Sequence, residues 1–375
     1  MLPLLLCFVA PEPKVVAYYP EWAVYARKFD VPAIPAAKLT HLVYAFARIE
    51  GGEARLFDSY AATDKAYPGD KWDAGAPRGS FNQLRKLKAR HKHLKTLIAL
   101  GGWTLSSPFS DAALTPASRE KLAKSAVAFM EKHGFDGIDL DWEYPVGGGL
   151  PGNKTRPEDR ANYVLLCAAI RKEMDARKKG YLLTAAGPGG TEKIKNFDLK
   201  GMAASVDWFN VMAYDFAGGW SARTGLNAPL RSKEGPSVES AVRAYLEAGV
   251  PAGKIVLGVP FYGRGWRGAK EGDGLGVKPA AGLPKGTWEP GVFDWKDLAA
   301  NHVPKMKRHW HAEGEVPWLH DARTGLMISY DDPESIKKKG EFARKEKLGG
   351  AMLWEITADD AKSSLLDALR AGLKP

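Results

Sequence analysis

The sequence predicts an α/β fold: a (β/α)8 TIM barrel with a small α+β insertion between the seventh strand and its helix. Three observations predict it. Eight short β-rich runs alternate with helical patterns, which in one chain means a parallel sheet with right-handed crossovers. Many of those runs are almost continuously apolar, as strands buried on both faces must be. One connection, residues 267–333, far exceeds the few residues of an ordinary βα loop.

Taken in order, residues 1–13 open on MLPLLLCFVA, which is similar to the apolar core of an export signal. No Lys or Arg precedes that core, and Pro11 follows the small Ala10. The eight strand runs are KVVAYY (14–19), HLVYAFA (41–47), KTLIALG (95–101), FDGIDLDW (135–142), YLLTAA (181–186), VDWFNVMAY (206–214), KIVLGVPFY (254–262) and GGAMLW (349–354). Helical patterns cover 81–91, 116–133, 157–178, 237–248, 334–347 and 358–371, with the weakest after the fifth run. Thr115 before Pro116 reads as an N-cap and first helical residue, and Gly134 and Gly249 read as stops. The barrel is assigned to 14–266 and 334–375 and the insertion to 267–333. Barrel active faces are built from βα loops, so an insertion there walls one side of the mouth.

Composition narrows the function. The chain has 375 residues, 45% hydrophobic and 26% charged, which excludes disordered, collagenous and coiled-coil classes. No apolar run reaches the roughly 20 residues that span a bilayer, so no membrane association is expected. Two cysteines, Cys7 and Cys167, exclude a disulfide framework and a cysteine-based zinc site. The net charge of +10 comes with no basic stretch interleaved with aromatics, so no nucleic-acid partner is expected. Lys337, Lys338 and Lys339 read as a solvated helix face.

The chemistry lies in FDGIDLDWEYP, residues 135–145. Period-2 alternation puts Gly137, Asp139, Asp141 and Glu143 on one face and Ile138, Leu140 and Trp142 on the other. In a barrel strand the first face points inward, so three acids rise in a row toward the mouth. Burying like charges is costly unless they share protons or meet a cation. A salt-bridged core and a metal site are the alternatives to catalysis. No strand offers a histidine at ligand spacing, so no metal and no cofactor is expected.

FDGIDLDWEYP resembles the D-x-x-D-x-D-x-E signature of glycoside hydrolase family 18, the chitinases. The resemblance continues through YPEWAVYARKF (19–29), LTHLVYAF (39–46), LGGWTLSSPF (100–109), NVMAYDFAG (210–218), TGLNAPL (224–230), GVPFYGRGW (258–266), KGTWE (285–289) and LWEI (353–356). Each string alone is weak; in order and at strand ends they are specific. The arrangement looks most like the bacterial chitinase A type. The resemblance implies a secreted, monomeric enzyme acting on chitin and chito-oligosaccharides through a retaining, substrate-assisted reaction.

The resemblance also implies roles. Glu143 is the general acid and then the base. Asp141 holds the acetamido N–H of the substrate, and Asp139 shares a proton with Asp141. A neighbouring carboxylate raises the pKa of Glu143. Asp136, of opposite parity, is structural. Tyr214 hydrogen-bonds the acetamido carbonyl, Asp215 holds the sugar, and Met212, Tyr262 and Arg264 line the site. Ala99 stands where the family often has a serine next to the inner aspartate, which bears on the tuning of Asp139.

Pyranose rings stack on flat aromatic surfaces. Trp354 is expected to form the floor beneath the cleaved sugar, with Trp103, Trp22 and Trp288 extending a cleft and Glu289 beside them. Trp142 is core by parity. Other patterns carry less. Gly263-x-Gly265-x-x-Gly268 matches a dinucleotide fingerprint but opens no helix. His309-Trp310-His311 reads as surface, and Asn153-Lys154-Thr155 is a sequon by pattern. Two further readings are a catalytically silent chitin-binding lectin, against which Glu143 stands, and an endo-β-N-acetylglucosaminidase.

Overall fold

The computed structural model describes residues 12–375 apart from positions 72 and 74, so the apolar run 1–10 lies outside the described residues. Eight parallel strands close into a barrel: Lys14–Pro20, His41–Glu50, Lys95–Gly101, Gly137–Asp141, Leu182–Pro188, Trp208–Met212, Ile255–Pro260 and Gly350–Trp354. The first strand pairs with both the second and the eighth, which completes the ring. A short strand, Glu53–Leu56, adds antiparallel to the second.

The alternation read from the sequence divides the core into two layers. Ile138, Leu140 and Trp142 pack outward among the helices, whereas Val16, Tyr18, Val43, Ala99, Trp208, Val256 and Met352 fill the barrel. Helix Pro116–His133 shows how local signals set its limits. Thr115 accepts the Ser118 amide at 3.1 Å in a capping box, and Gly134 ends the helix at φ +77°. A cap of this kind contributes about 1 kcal/mol.

The structure differs from the sequence reading in three places. A second sheet of five antiparallel strands takes the order Val292–Asp294, Tyr262–Trp266, Leu326–Ser329, Val316–Asp321, Lys307–His311. Its strand Tyr262–Trp266 was expected in the barrel, so the chain leaves the barrel at Phe261 rather than at 267. The last helix starts at Ser364, not near 358, because the Asp359 carboxylate accepts the amides of Leu365 and Leu366 at 3.2 and 3.0 Å. Lys339 is not on a solvated face. It is fully buried and paired with both oxygens of Asp331 at 2.6 Å, while Lys337 and Lys338 do meet surface acids. A buried ammonium needs such a partner, and removing either member strands the other charge. The pair ties the end of the second sheet to helix Pro333–Lys345.

Candidate active site

The fourth strand ends at Asp141, two residues before Glu143. Its outward side is locked by Trp142, which stacks on Phe109 at 5.2 Å and touches Tyr163 at 5.0 Å. Asp136 fastens the other end, accepting the Thr96 amide at 2.8 Å and pairing with Lys88 at 2.7 Å. The inward row is therefore held from both sides. Asp139 and Asp141 are buried and Glu143 is half-buried at the mouth.

Asp139 sits among three donors: Tyr18 Oη at 2.7 Å, Thr184 Oγ1 at 2.5 Å and Asn210 Nδ2 at 3.0 Å. Ala99 is its register neighbour on the third strand, so Thr184 on the fifth strand and Asn210 on the sixth supply hydrogen bonds where a serine hydroxyl was looked for. Asp139 and Asp141 follow one another on the inward face of the strand, and the Asp139 charge acts directly on Asp141. Asp141 Oδ1 is buried without a hydrogen-bond partner among the described residues.

Electrostatics separate the three acids. Burial raises Asp139, and its three donors hold that rise back. Asp141 has no such donors. Burial pushes it well above the usual carboxylate range, and the Glu143 and Asp139 charges push it further. Glu143 is raised to about 7, chiefly by burial, with the Tyr144 hydroxyl and Lys193 ammonium pulling down and Asp215 adding to the rise. Burial rather than a neighbouring carboxylate is thus the main cause.

Beyond the sixth strand, Met212 and Tyr214 are half-buried at the barrel mouth, and the Tyr214 ring meets Tyr262 edge-on at 6.2 Å. Asp215 adopts φ +59° and receives Tyr262 Oη at 2.7 Å and Arg264 Nη2 and Nε at 2.6 and 2.9 Å. The second sheet therefore reaches the site through Tyr262 and Arg264. Buried Asn227 completes the junction: its Oδ1 accepts the Asp215 amide at 3.1 Å.

The aromatic residues form two groups. Trp354 contacts Tyr18 at 5.6 Å, Phe46 at 6.1 Å and Trp22 at 6.4 Å, a continuous band over the eighth, first and second strands. Trp288, on the second unit, is held face-on: Arg27 lies 5.2 Å and Lys296 5.7 Å from its ring, and Asp294 accepts its N–H at 2.8 Å. Arg27 also pairs with Glu355, next to Trp354, so this wall is anchored to the barrel. Glu289 is exposed near Arg264. Trp103, across the mouth, is exposed beneath the Lys193 ammonium at 5.8 Å.

Several supporting residues escaped the sequence reading. Ser106 Oγ accepts the Glu143 amide at 2.8 Å, and Asn153 Nδ2 donates to the Glu143 carbonyl at 3.2 Å, so the sequon asparagine positions the acid's backbone. Gly101 is required where it stands: a Cβ there lies 2.3 Å from the Asp141 carbonyl oxygen. At Gly102 a Cβ runs into the Phe46 ring at 2.6 Å. Polar residues breaking an apolar strand were the available signal for Thr184 and Asn210. His309, on the partly exposed edge strand of the second sheet, stacks on Trp318 at 5.0 Å because the pairing brings the two side by side.

Residues 14–359 match the glycosyl hydrolases family 18. Chitinase A1 of Niallia circulans is 42% identical over 409 residues, covering 96% of this chain and 58% of that relative's length. Endochitinase 1 of Metarhizium robertsii is 37% identical over 357 residues, covering 91% of this chain and 80% of the relative. Among solved structures, chitinase ChiA74 from Bacillus thuringiensis superposes with a TM-score of 0.92 at 37% identity, over 96% of this chain and 70% of that one.

Proposed function

Because the chain belongs to glycosyl hydrolases family 18, we propose that it hydrolyses β-1,4-linked N-acetylglucosamine in chitin and chito-oligosaccharides, using the substrate's own acetamido group as nucleophile. The observation that carries this is Asp141 Oδ1, a buried acceptor with no partner among the described residues, located between Asp139 and Glu143 in the row. Leaving a buried polar atom unpaired costs about 1–3 kcal/mol, and the acetamido N–H of a bound sugar removes that cost.

The reaction then runs as follows. Glu143, whose carboxyl titrates at about 7, is protonated in acidic solution and in about half of the molecules at neutral pH. It gives its proton to the glycosidic oxygen as the bond to C1 breaks. The acetamido carbonyl oxygen, oriented by Asp141 on the N–H and by the Tyr214 hydroxyl, bonds to C1 from the opposite face and forms an oxazolinium ring. Asp139 and Asp141 carry one proton between them, and the donors around Asp139 favour leaving it on Asp141. One negative charge thus remains near the developing positive charge. Glu143 next takes a proton from water, which attacks C1, reopens the ring and restores the β configuration.

Binding falls to the surrounding groups. Trp354 supports the sugar being cut, Met212 and Tyr214 flank it, and Asp215 accepts from its hydroxyls while held by Tyr262 and Arg264. Trp22, Trp288 and Glu289 extend the cleft on one side and Trp103 on the other. A polymer of this size is met outside the cell, so export belongs to the proposal, as does action as a monomer.

The test is proton NMR of products from N-acetylglucosamine hexamer. The new reducing end is expected first as the β anomer, with α appearing only by mutarotation; α first excludes retention and the proposed route.

A further inference from the structure

We propose that Lys193 selects the sugar on the leaving-group side of the cut, admitting an acetylated residue and excluding a deacetylated, cationic one. The inference rests on the functional reading above and deepens it.

Lys193 sits on the short helix Thr191–Ile194 that follows the fifth barrel strand. It is half-buried, and its stem runs along Gly148 of the loop after Glu143. Its ammonium lies 4.5 Å from the Tyr144 ring centroid and 5.8 Å from that of Trp103. The ammonium makes no ion pair or hydrogen bond among the described residues, whereas Lys195, just past the helix, pairs with Glu192 at 2.9 Å. The charges it faces are those of the site, Glu143 and Asp215.

The ring of strands assigns the sides. Trp354 ends the eighth strand and Trp22 follows the first, whereas Trp103, Tyr144 and Lys193 follow the third, fourth and fifth. With the sugar that keeps C1 resting on Trp354, the departing sugar lies across Glu143 toward Trp103, Tyr144 and Lys193. An N-acetylglucosamine unit there is neutral and offers hydroxyl and carbonyl oxygens to the ammonium. A glucosamine unit brings a second ammonium into a half-buried space already holding one, and like charges at such range repel strongly. The same cation acts on Glu143, which is also faced by Asp141, Asp215 and the Tyr144 and Tyr214 hydroxyls. Removing Lys193 removes a stabiliser of the carboxylate, so the acid stays protonated to higher pH.

The test is digestion of partially deacetylated chitosan under acidic conditions, followed by identification of the sugar at each new non-reducing end, which is the one that occupied the leaving-group side. The wild-type enzyme is expected to leave N-acetylglucosamine there almost exclusively. Lys193→Gln should raise the glucosamine share by roughly tenfold, Lys193→Glu further, and Lys193→Arg should keep the wild-type pattern. On N-acetylglucosamine hexamer, the alkaline limb of kcat/KM should move to higher pH in Lys193→Gln and not in Lys193→Arg. Unchanged ends in both the Gln and Glu variants overturn the proposal while leaving the functional reading intact. A wild-type enzyme that does not cut the hexamer overturns both.

Discussion

Glu143→Gln should lower kcat on N-acetylglucosamine hexamer by roughly 10⁴-fold, while the affinity for the oligosaccharide changes little. Glutamine keeps the size of the side chain and a hydrogen-bonding end, but it has no proton to give the leaving oxygen and cannot accept one from water. Both half-reactions lose their catalyst at one stroke. The fold should not respond, because Glu143 is half-buried and its position rests on backbone contacts to Ser106 and Asn153 that the substitution leaves in place. Turnover assays beside calorimetric titration separate the two effects. A variant with most of its turnover intact refutes the acid assignment, and one that no longer binds points to a wider loss of structure.

Asp141→Asn should cost about 10²–10³-fold in kcat. Asp141 Oδ1 meets no donor among the described residues, so it is free to receive one from the substrate. Asparagine can still accept through its carbonyl oxygen, but the pair with Asp139 loses its titrating partner and the amide dipole cannot answer the charge on the oxazolinium ring. The expected signature is a fall in kcat that exceeds any rise in KM. Equal loss in both, or none, means that Asp141 does not act on the acetamido group.

Most of the fold was legible because its signals are local. Apolar runs recur at intervals that leave room for a helix, and Thr115, Pro116 and Gly134 bound one helix without help from the rest of the chain. The acid row was legible for the same reason, since one strand carries it and alternation sets its direction. The cage around Asp139 was not. Tyr18, Thr184 and Asn210 come from strands far apart in the chain and meet only when the barrel closes. Lys339 was misread because a run of three lysines looks the same whether or not an aspartate waits behind one of them. Tyr262 follows an apolar strand with no break in pattern, and only its pairing with Val292–Asp294 and Leu326–Ser329 assigns that segment to the second sheet.

The participation of the acetamido group is tested most directly with a thiazoline derivative of N,N′-diacetylchitobiose, in which sulfur replaces oxygen in a stable copy of the five-membered ring. A site built around that ring should bind it at least 100-fold more tightly than N,N′-diacetylchitobiose itself, as expected of an analogue near the transition state. An inhibition constant no better than that of the simple disaccharide would contradict the proposed nucleophile.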